Sequence, residues 1–294
     1  MCGIVAAAAG KNIVPVLVEG LKKLEYRGYD SAGLAVIGHS EIERVRSTGR
    51  VAELEAASAG TSAITGIAHT RWATHGIPSE RNAHPHVSGS IAVVHNGIIE
   101  NYETLRGELT AQGYVFTSDT DTESIAHLIQ STLKTEPDLL KAVQIACRHL
   151  VGAYAIAVID QNQPGKIIVS REGSPLLLGV SDTGNYAASD ASALLQVTRN
   201  MVYLENGDIA ELTATSVKIT RLDGTPVERP VHVSQLSAAA VELGNYQHYM
   251  QKEIFEQPEA LANTLEIVGG SKIIQPGIFG AEAGNLLADV EYIL

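Results

Sequence analysis

Short runs of consecutive apolar residues restrict the fold of this chain most strongly. Residues 91–94 (IAVV) and 153–160 (AYAIAVID) are apolar on both faces of the strands they would form, and such strands must be covered on both sides. The amphipathic helical patterns, at about 122–134 and 138–150, precede a series of short strands between 153 and 222. Strands grouped apart from helices predict an α+β fold with antiparallel pairing, here two stacked sheets with helices outside.

Composition and charge narrow the class of protein. A chain of 294 residues with 45% hydrophobic and 18% charged residues is typical of a globular protein with one large domain, or one domain plus a piece. The net charge of -12 disfavours nucleic acid or an anionic membrane as a partner. Two cysteines are too few for a disulfide framework, and Cys147 lies in an apolar helical phase that predicts a core thiol. With no secretion signal or membrane-spanning run in the pattern, we expect a cytoplasmic location.

The second residue is a cysteine, and its position gives it unusual chemistry. Because Cys is small, we expect Met1 to be removed, which would leave a free α-amine and a thiol on Cys2. The ordinary pKa of an α-amine is about 7.7 to 8.0 and that of a thiol about 8.5. The amine would therefore serve as the base for the thiol, as in enzymes with an N-terminal nucleophile. The same residues also fit the start of a buried strand, so other motifs must decide.

Three later segments carry groups suited to an amide substrate. Residues 71–76 (RWATHG) combine a guanidinium that matches a carboxylate, the only Trp of the chain and a Gly hinge. Asn96 and Gly97 offer an amide donor and an approachable backbone N–H, as an oxyanion hole requires. Acidic residues at 118–123 stand at a helix N-terminus, where one surplus carboxylate would bind an ammonium. Each segment also has a structural explanation. Arg71 could form a surface ion pair and Trp72 could fill the core, Asn96-Gly97 is a common turn, and the acidic residues at 118–123 could cap a helix.

Metal and cofactor motifs are missing from the sequence pattern. The ten histidines include no i, i+4 helical pair with a Glu base, and no Cys stands near the five histidines between 69 and 95. A glycine-rich phosphate loop of the Walker or dinucleotide type is also absent from the pattern. We therefore predict neither a metal nor a cofactor.

An ordered series of motifs resembles the glutaminase domain of the glucosamine-6-phosphate synthases, which are class II glutamine amidotransferases. The motifs are residues 2–4 (CGI), 26–33 (YRGYDSAG), 69–76 (HTRWATHG), 82–86 (NAHPH), 95–101 (HNGIIEN) and 118–123 (SDTDTE). The CGI motif is shared by the whole class, whereas the series is far more specific. The resemblance implies the four-layer αββα fold of the N-terminal nucleophile hydrolases, with two antiparallel sheets between helical layers.

The resemblance also implies a division of the chain into domains. Residues 1–235 would form the glutaminase domain, residues 236–248 a linker, and residues 249–294 the incomplete start of a sugar-isomerase-like domain. In this last part, the pattern predicts one helix over 246–256 and a second one that begins at Pro258.

The resemblance assigns a role to each matching residue. Cys2 would attack the carboxamide of L-glutamine to give a thioester and ammonia, while Asn96 and the N–H of Gly97 would hold the oxyanion. The remaining implied roles are Arg71 for the α-carboxylate, Asp121 for the α-ammonium, Thr74 and His75 for the rest of the pocket, Trp72 for a lid, and Arg27 for support of the nucleophile strand.

The implied partners follow from the same resemblance. In the complete synthase the ammonia would convert fructose 6-phosphate to glucosamine 6-phosphate, with the sugar bound only by isomerase domains that this chain lacks, in a homodimer. Three alternatives stay open: an amidotransferase with another acceptor, such as an amidophosphoribosyltransferase; a non-catalytic glutamine-binding module; and an N-terminal nucleophile acylase acting on another amide.

Overall fold

The computed structural model describes residues 2–38, 41–73, 75–235 and 246–267. The chain divides into two compact units, Met1–Val241 and Glu242–Leu294. Residues 236–245 of the predicted linker (236–248) lie outside the described residues. Residues 268–294 lie outside them as well.

The described strands and helices are as follows. The strands are β1 (Gly3–Ala9), β2 (Ser31–Gly38), β3 (Glu41–Thr48), β4 (Thr65–Arg71), β5 (His86–Ser88), β6 (Ile91–Ile99), β7 (Gly152–Asp160), β8 (Ile167–Glu172), β9 (Leu177–Ser181), β10 (Gly184–Ala188), β11 (Asn200–Tyr203), β12 (Asp208–Leu212), β13 (Val217–Arg221) and β14 (Val231–Val233). The helices are α1 (Val14–Leu24), α2 (Val51–Ala57), α3 (Tyr102–Ala111), α4 (Thr122–Thr132), α5 (Leu139–Cys147) and α6 (Tyr249–Ile267).

The strands of the first unit form two sheets. The first sheet has the order β14-β11-β9-β10-β1-β4-β2-β3, and the second has the order β13-β12-β8-β7-β6-β5. The strand pairs described in both sheets are antiparallel. Strands β6 and β7 contain the two-faced apolar segments predicted at 91–94 and 153–160, and each is covered on both sides.

The apolar residues separate into three layers, which explains why these strands are apolar throughout. Val5 and Ala7 of β1 belong to the core between the first sheet and helices α1 and α2. Their neighbours Ile4 and Ala6 belong to the core between the two sheets. A third core joins the second sheet to α4 and α5, and it includes Val93. Two sheets between two helical layers confirm the predicted four-layer α+β sandwich.

Helix α6 of the second unit differs from the sequence-based expectation. The predicted break at Pro258 is wrong, because α6 runs through this residue from Tyr249 to Ile267. Proline has a φ angle that suits a helix, so one interior proline removes a single backbone hydrogen bond without necessarily ending the helix. In the part of the chain that the structure describes, we find no helix of the length and apolarity needed to cross a membrane.

Candidate active site

Cys2 lies where the first sheet meets a loop that leaves strand β4. Strand β1 pairs with β4 in a register that sets Gly3 opposite Thr70, so Cys2 stands beside the end of β4. The chain turns away there, and the backbone N–H of Trp72 donates to the Sγ atom of Cys2 at 3.2 Å. Strand pairing therefore positions the sulfur against a backbone donor 70 residues away in sequence.

Strand β6 brings Asn96 and Gly97 to Cys2 from the second sheet. The Nδ2 atom of Asn96 donates to the backbone carbonyl of Cys2 at 3.2 Å. Gly97 has a φ of 128°, and a Cβ atom there would lie 1.9 Å from the carbonyl oxygen of Ala153 on the neighbouring strand. Only glycine fits such a position, because a side chain at residue 97 would collide with the backbone of β7.

Arg71 is a buried cation at the end of β4, with only 3% of its surface exposed. Its Nη2 atom donates to the carbonyl oxygens of His75 and Gly76, the latter at 3.0 Å. Its Nη1 atom lies 3.5 Å from Oδ1 of Asp30. Burying a guanidinium is costly unless it is paired, and Asp30 together with the loop carbonyls provides that compensation.

Asp121 precedes helix α4, and its carboxylate does not cap that helix. Instead, its Oδ2 atom accepts a hydrogen bond from the backbone N–H of Ile99 at 2.9 Å. The side chain lies 3.9 Å from Nδ1 of His95 and is almost fully buried. Helix capping therefore does not explain this residue, and its carboxylate lies at the pocket that contains Cys2.

The pocket has about 250 Å³ of free space, including its open mouth. Its lining residues come from both sheets and from the loops between them: Cys2, Arg71, Trp72, His75, His84, His95, Gly97, Thr120, Asp121 and Thr122. A cation and an anion thus share a small concave site with a thiol. A site of this kind suits a small zwitterion better than an extended chain.

The structure brings together most of the residues predicted from the motifs. Asn96 is not among the lining residues of the pocket, but its Nδ2 atom donates to the backbone carbonyl of Cys2. Thr74 and Met1 lie outside the described residues, and of Arg27 only the backbone, in the short helical turn Glu25–Arg27, is described. The sequence interpretation gave no role to several residues that line or support the pocket, although all of them stand within or beside the motifs: Asp30, His69, His84, His95, Thr120 and Thr122.

Trp72 is more exposed than a core residue, with 54% of its surface accessible. Its ring lies against Gly28, which has a φ of 92°. A Cβ atom at Gly28 would approach the ring to 2.3 Å. Because Gly28 of the YRGYD motif has no side chain, the Trp72 ring packs directly on its backbone at the mouth of the pocket.

The two cysteines lie in contrasting environments. Burial raises the pKa of the Cys2 thiol, while the Trp72 N–H and the nearby Arg71 guanidinium act in the opposite direction. Cys147 is 3% exposed, and burial raises the pKa of its thiol to about 11. Cys147 is therefore the core thiol that the sequence predicted, and Cys2 is the thiol that a small molecule reaches.

Buried histidines form a network at the pocket, where His84 and His95 belong to the lining. Burial lowers the pKa of His69 to about 3 and lowers the pKa values of His84, His86 and His95 as well. These rings are therefore neutral, and they hydrogen-bond to one another and to Thr120 and Thr122. Among the described residues, no group of three or more His, Cys, Asp or Glu side chains has the arrangement of a metal site.

Residues 69–196 match the family described as a glutamine amidotransferase domain. The chain is 52% identical over 292 residues to a glutamine–fructose-6-phosphate aminotransferase (isomerizing) of Xylella fastidiosa. The aligned residues make up 99% of this chain and 48% of that protein. It is 54% identical over 298 residues to a protein of the same name from Acidithiobacillus ferridurans. That alignment covers 100% of this chain and 49% of the relative.

A solved structure supports the fold. The glutamine phosphoribosylpyrophosphate amidotransferase of B. subtilis matches with a TM-score of 0.66 at 24% identity, over 75% of this chain and 49% of that chain. Identity at this level shows the fold alone. The chain spans about half the length of the curated relatives it matches.

Proposed function

We propose that the chain hydrolyses L-glutamine to L-glutamate and ammonia through a thioester on Cys2, because residues 69–196 match a glutamine amidotransferase domain. One observation carries the proposal: the pocket places the Cys2 thiol together with the buried cation Arg71 and the buried anion Asp121. The two charges match the α-carboxylate and the α-ammonium of a free amino acid. An acylase acting on other amides would have no use for both.

The proposed reaction assigns each group one task. The Sγ atom of Cys2 attacks the carboxamide carbon, and its proton passes to the α-amine that removal of Met1 exposes. Asn96 Nδ2 and the N–H of Gly97 stabilise the negative oxygen, a task worth about 3 to 4 kcal/mol for one donor. The C–N bond breaks, the leaving nitrogen takes the proton and departs as ammonia, and water then hydrolyses the thioester to glutamate.

The remaining residues of the motifs have proposed supporting roles. Thr74 and His75 complete the glutamine pocket, and Trp72 closes it against water. Arg27 supports the strand that carries Cys2. The position of the Trp72 ring against Gly28 supports the lid, because the ring stands at the mouth of the pocket.

We further propose that the ammonia serves amination of fructose 6-phosphate, as the names of the relatives indicate. Residues 1–235 would be the glutaminase domain, 236–248 the linker and 249–294 the start of a sugar-isomerase-like domain that binds no sugar by itself. The boundary between the compact units, after Val241, falls inside the proposed linker. The complete enzyme would be a cytoplasmic homodimer. The relatives favour fructose 6-phosphate over a phosphoribosyl acceptor, since the phosphoribosylpyrophosphate enzyme shares the fold alone.

Ammonia release from glutamine tests the proposal. We expect Cys2→Ala to abolish release and Cys147→Ala, a change in the core, to leave most of it intact. A glutamine-like electrophile should add to Cys2, as read by peptide mass spectrometry after removal of Met1 is verified on the intact protein. Labelling at Cys147, or activity in Cys2→Ala, would refute the assignment. Glutamine binding without ammonia release would instead indicate a non-catalytic module.

A further inference from the structure

His69 stands on β4 behind Asn96 and touches it directly. The Nε2 atom of His69 lies 2.9 Å from Oδ1 of Asn96 and 2.9 Å from the backbone oxygen of His95. Both neighbours are oxygen acceptors, so Nε2 must carry the hydrogen and share it between them. His69 is fully buried in the space between the two sheets.

The opposite nitrogen of the ring points to the same tautomer. The Nδ1 atom of His69 is buried and has no hydrogen-bond partner within the described part of the chain. A hydrogen on Nδ1 would therefore be a buried donor without an acceptor, which is costly. Nδ1 of His84 lies 3.2 Å from Nε2 of His69 and can only accept from it. The pKa of His69, lowered to about 3 by burial, agrees with a neutral ring.

We infer that His69 is a positioning residue that fixes the orientation of the Asn96 amide and so makes it an oxyanion donor. An asparagine amide has a donor end and an acceptor end of nearly the same shape. With Oδ1 held by His69, the Nδ2 end faces Cys2, where it donates to the backbone carbonyl. A flipped amide would set two donors against each other at His69 and two oxygens against each other at Cys2.

This inference rests on the proposed glutaminase activity, and it adds a residue for which the sequence motifs suggested no task. His69 does not itself line the pocket, although it contacts two residues that do, His84 and His95. The inferred effect passes through Asn96, the oxyanion donor among its neighbours, so loss of His69 should impair the transition state and leave glutamine binding nearly unchanged. An orienting group behind an oxyanion donor also gives a reason for a buried imidazole among apolar strands.

Steady-state kinetics of the full 294-residue chain test the inference. We expect His69→Leu to lower kcat about 10²- to 10³-fold, the loss typical of one oxyanion donor, with KM changed less than about threefold. His69→Gln, which keeps a donor, should retain kcat to within about tenfold. In an Asn96→Ala background, His69→Leu should cause no further loss, because the amide it orients is gone.

A matched control separates positioning from general damage to the core. Asn185→Leu removes another buried side chain that forms a hydrogen bond, donated to the backbone oxygen of Thr213. Asn185 pairs with Ala8 near the far end of β1. This site lies about 20 Å along the strand from Cys2. We expect the thermal stability of Asn185→Leu to fall as much as that of His69→Leu, while its kcat stays near that of the wild type.

The tautomer provides a readout that needs no turnover. In ¹⁵N-labelled protein at pH 7 we expect a neutral His69 protonated at Nε2. A ring protonated at Nδ1 or charged, a normal kcat in His69→Leu, or losses that multiply in the double variant would overturn the inference. A wild-type chain that releases no ammonia would count against the proposed function, and the tautomer would still decide the role of His69.

Discussion

The guanidinium of Arg71 and the carboxylate of Asp30 lie 3.5 Å apart, and the two charges act on the Cys2 thiol with opposite sign. Arg71 favours the thiolate, whereas Asp30 disfavours it. The pair therefore balances the reactivity of the proposed nucleophile while it keeps the buried cation neutralised.

This balance predicts opposite effects of two charge-removing substitutions. Arg71→Gln should raise the pKa of the Cys2 thiol, and Asp30→Asn should lower it, because each removes one of the opposing charges. The pH dependence of Cys2 alkylation in a Cys147→Ala background measures both. Shifts of the same sign would mean that packing changes, and not charge, dominate the thiol environment.

A second prediction concerns Gly97 on β6. Gly97→Ala should reduce the free energy of unfolding by about 3 kcal/mol or more, because a Cβ atom meets the Ala153 carbonyl and the φ angle is positive. Gly113→Ala is the matched control, since Gly113 has a φ of 91° and open space around it. The control should cost about 1 kcal/mol. Equal losses in urea denaturation would show that the clash at Gly97 is relieved.

Asp121 predicts a dependence on the α-amine of the substrate. Asp121→Asn keeps an oxygen for the N–H of Ile99 but loses the charge that would pair with the ammonium. We expect KM for glutamine to rise about 10- to 100-fold, the loss of a charge-assisted hydrogen bond. KM for 4-carbamoylbutanoate, which lacks the α-amine, should change little. A rise of equal size for both substrates would assign Asp121 a structural role instead.

The buried histidines predict loss of stability in acid. Their pKa values lie lower in the folded protein than the ordinary 6.5, so the unfolded chain binds more protons and stability falls as pH drops below about 6.5. Each ring whose pKa is lowered well below 6.5, as in His69, His84 and His86, contributes a slope of up to about 1.4 kcal/mol per pH unit. Denaturation at pH 7.5, 6.5 and 5.5 measures it.

The variant His86→Gln tests the origin of that slope. It removes one titrating ring while a side chain that can bond Thr120 remains. The difference in unfolding free energy between wild type and variant should therefore shrink by about 1.4 kcal/mol for each pH unit below 6.5. A constant difference would mean that carboxylates alone cause the acid sensitivity.

The fold was largely predictable because its causes are local and repetitive. The two-faced apolar pattern of β7 requires cover on both sides, and the helical spacing of α4 and α5 identifies the cover on one of them. The expected break at Pro258 failed for a local reason too, since a proline in a helix costs hydrogen bonding without forbidding the conformation. Motif resemblance supplied the roles proposed for Cys2, Asn96 and Arg71, although the patterns around them have ordinary structural explanations.

The sequence by itself determined the layered α+β architecture and the chemical groups available, because periodicity and motif content are properties of the chain alone. Only the tertiary structure decided which groups meet. Sheet packing brings Asn96 of one sheet to Cys2 of the other, assigns the Asp121 carboxylate to the N–H of Ile99 and not to its helix, and sets His69 behind Asn96. These contacts depend on the register and stacking of distant strands, which no local pattern records.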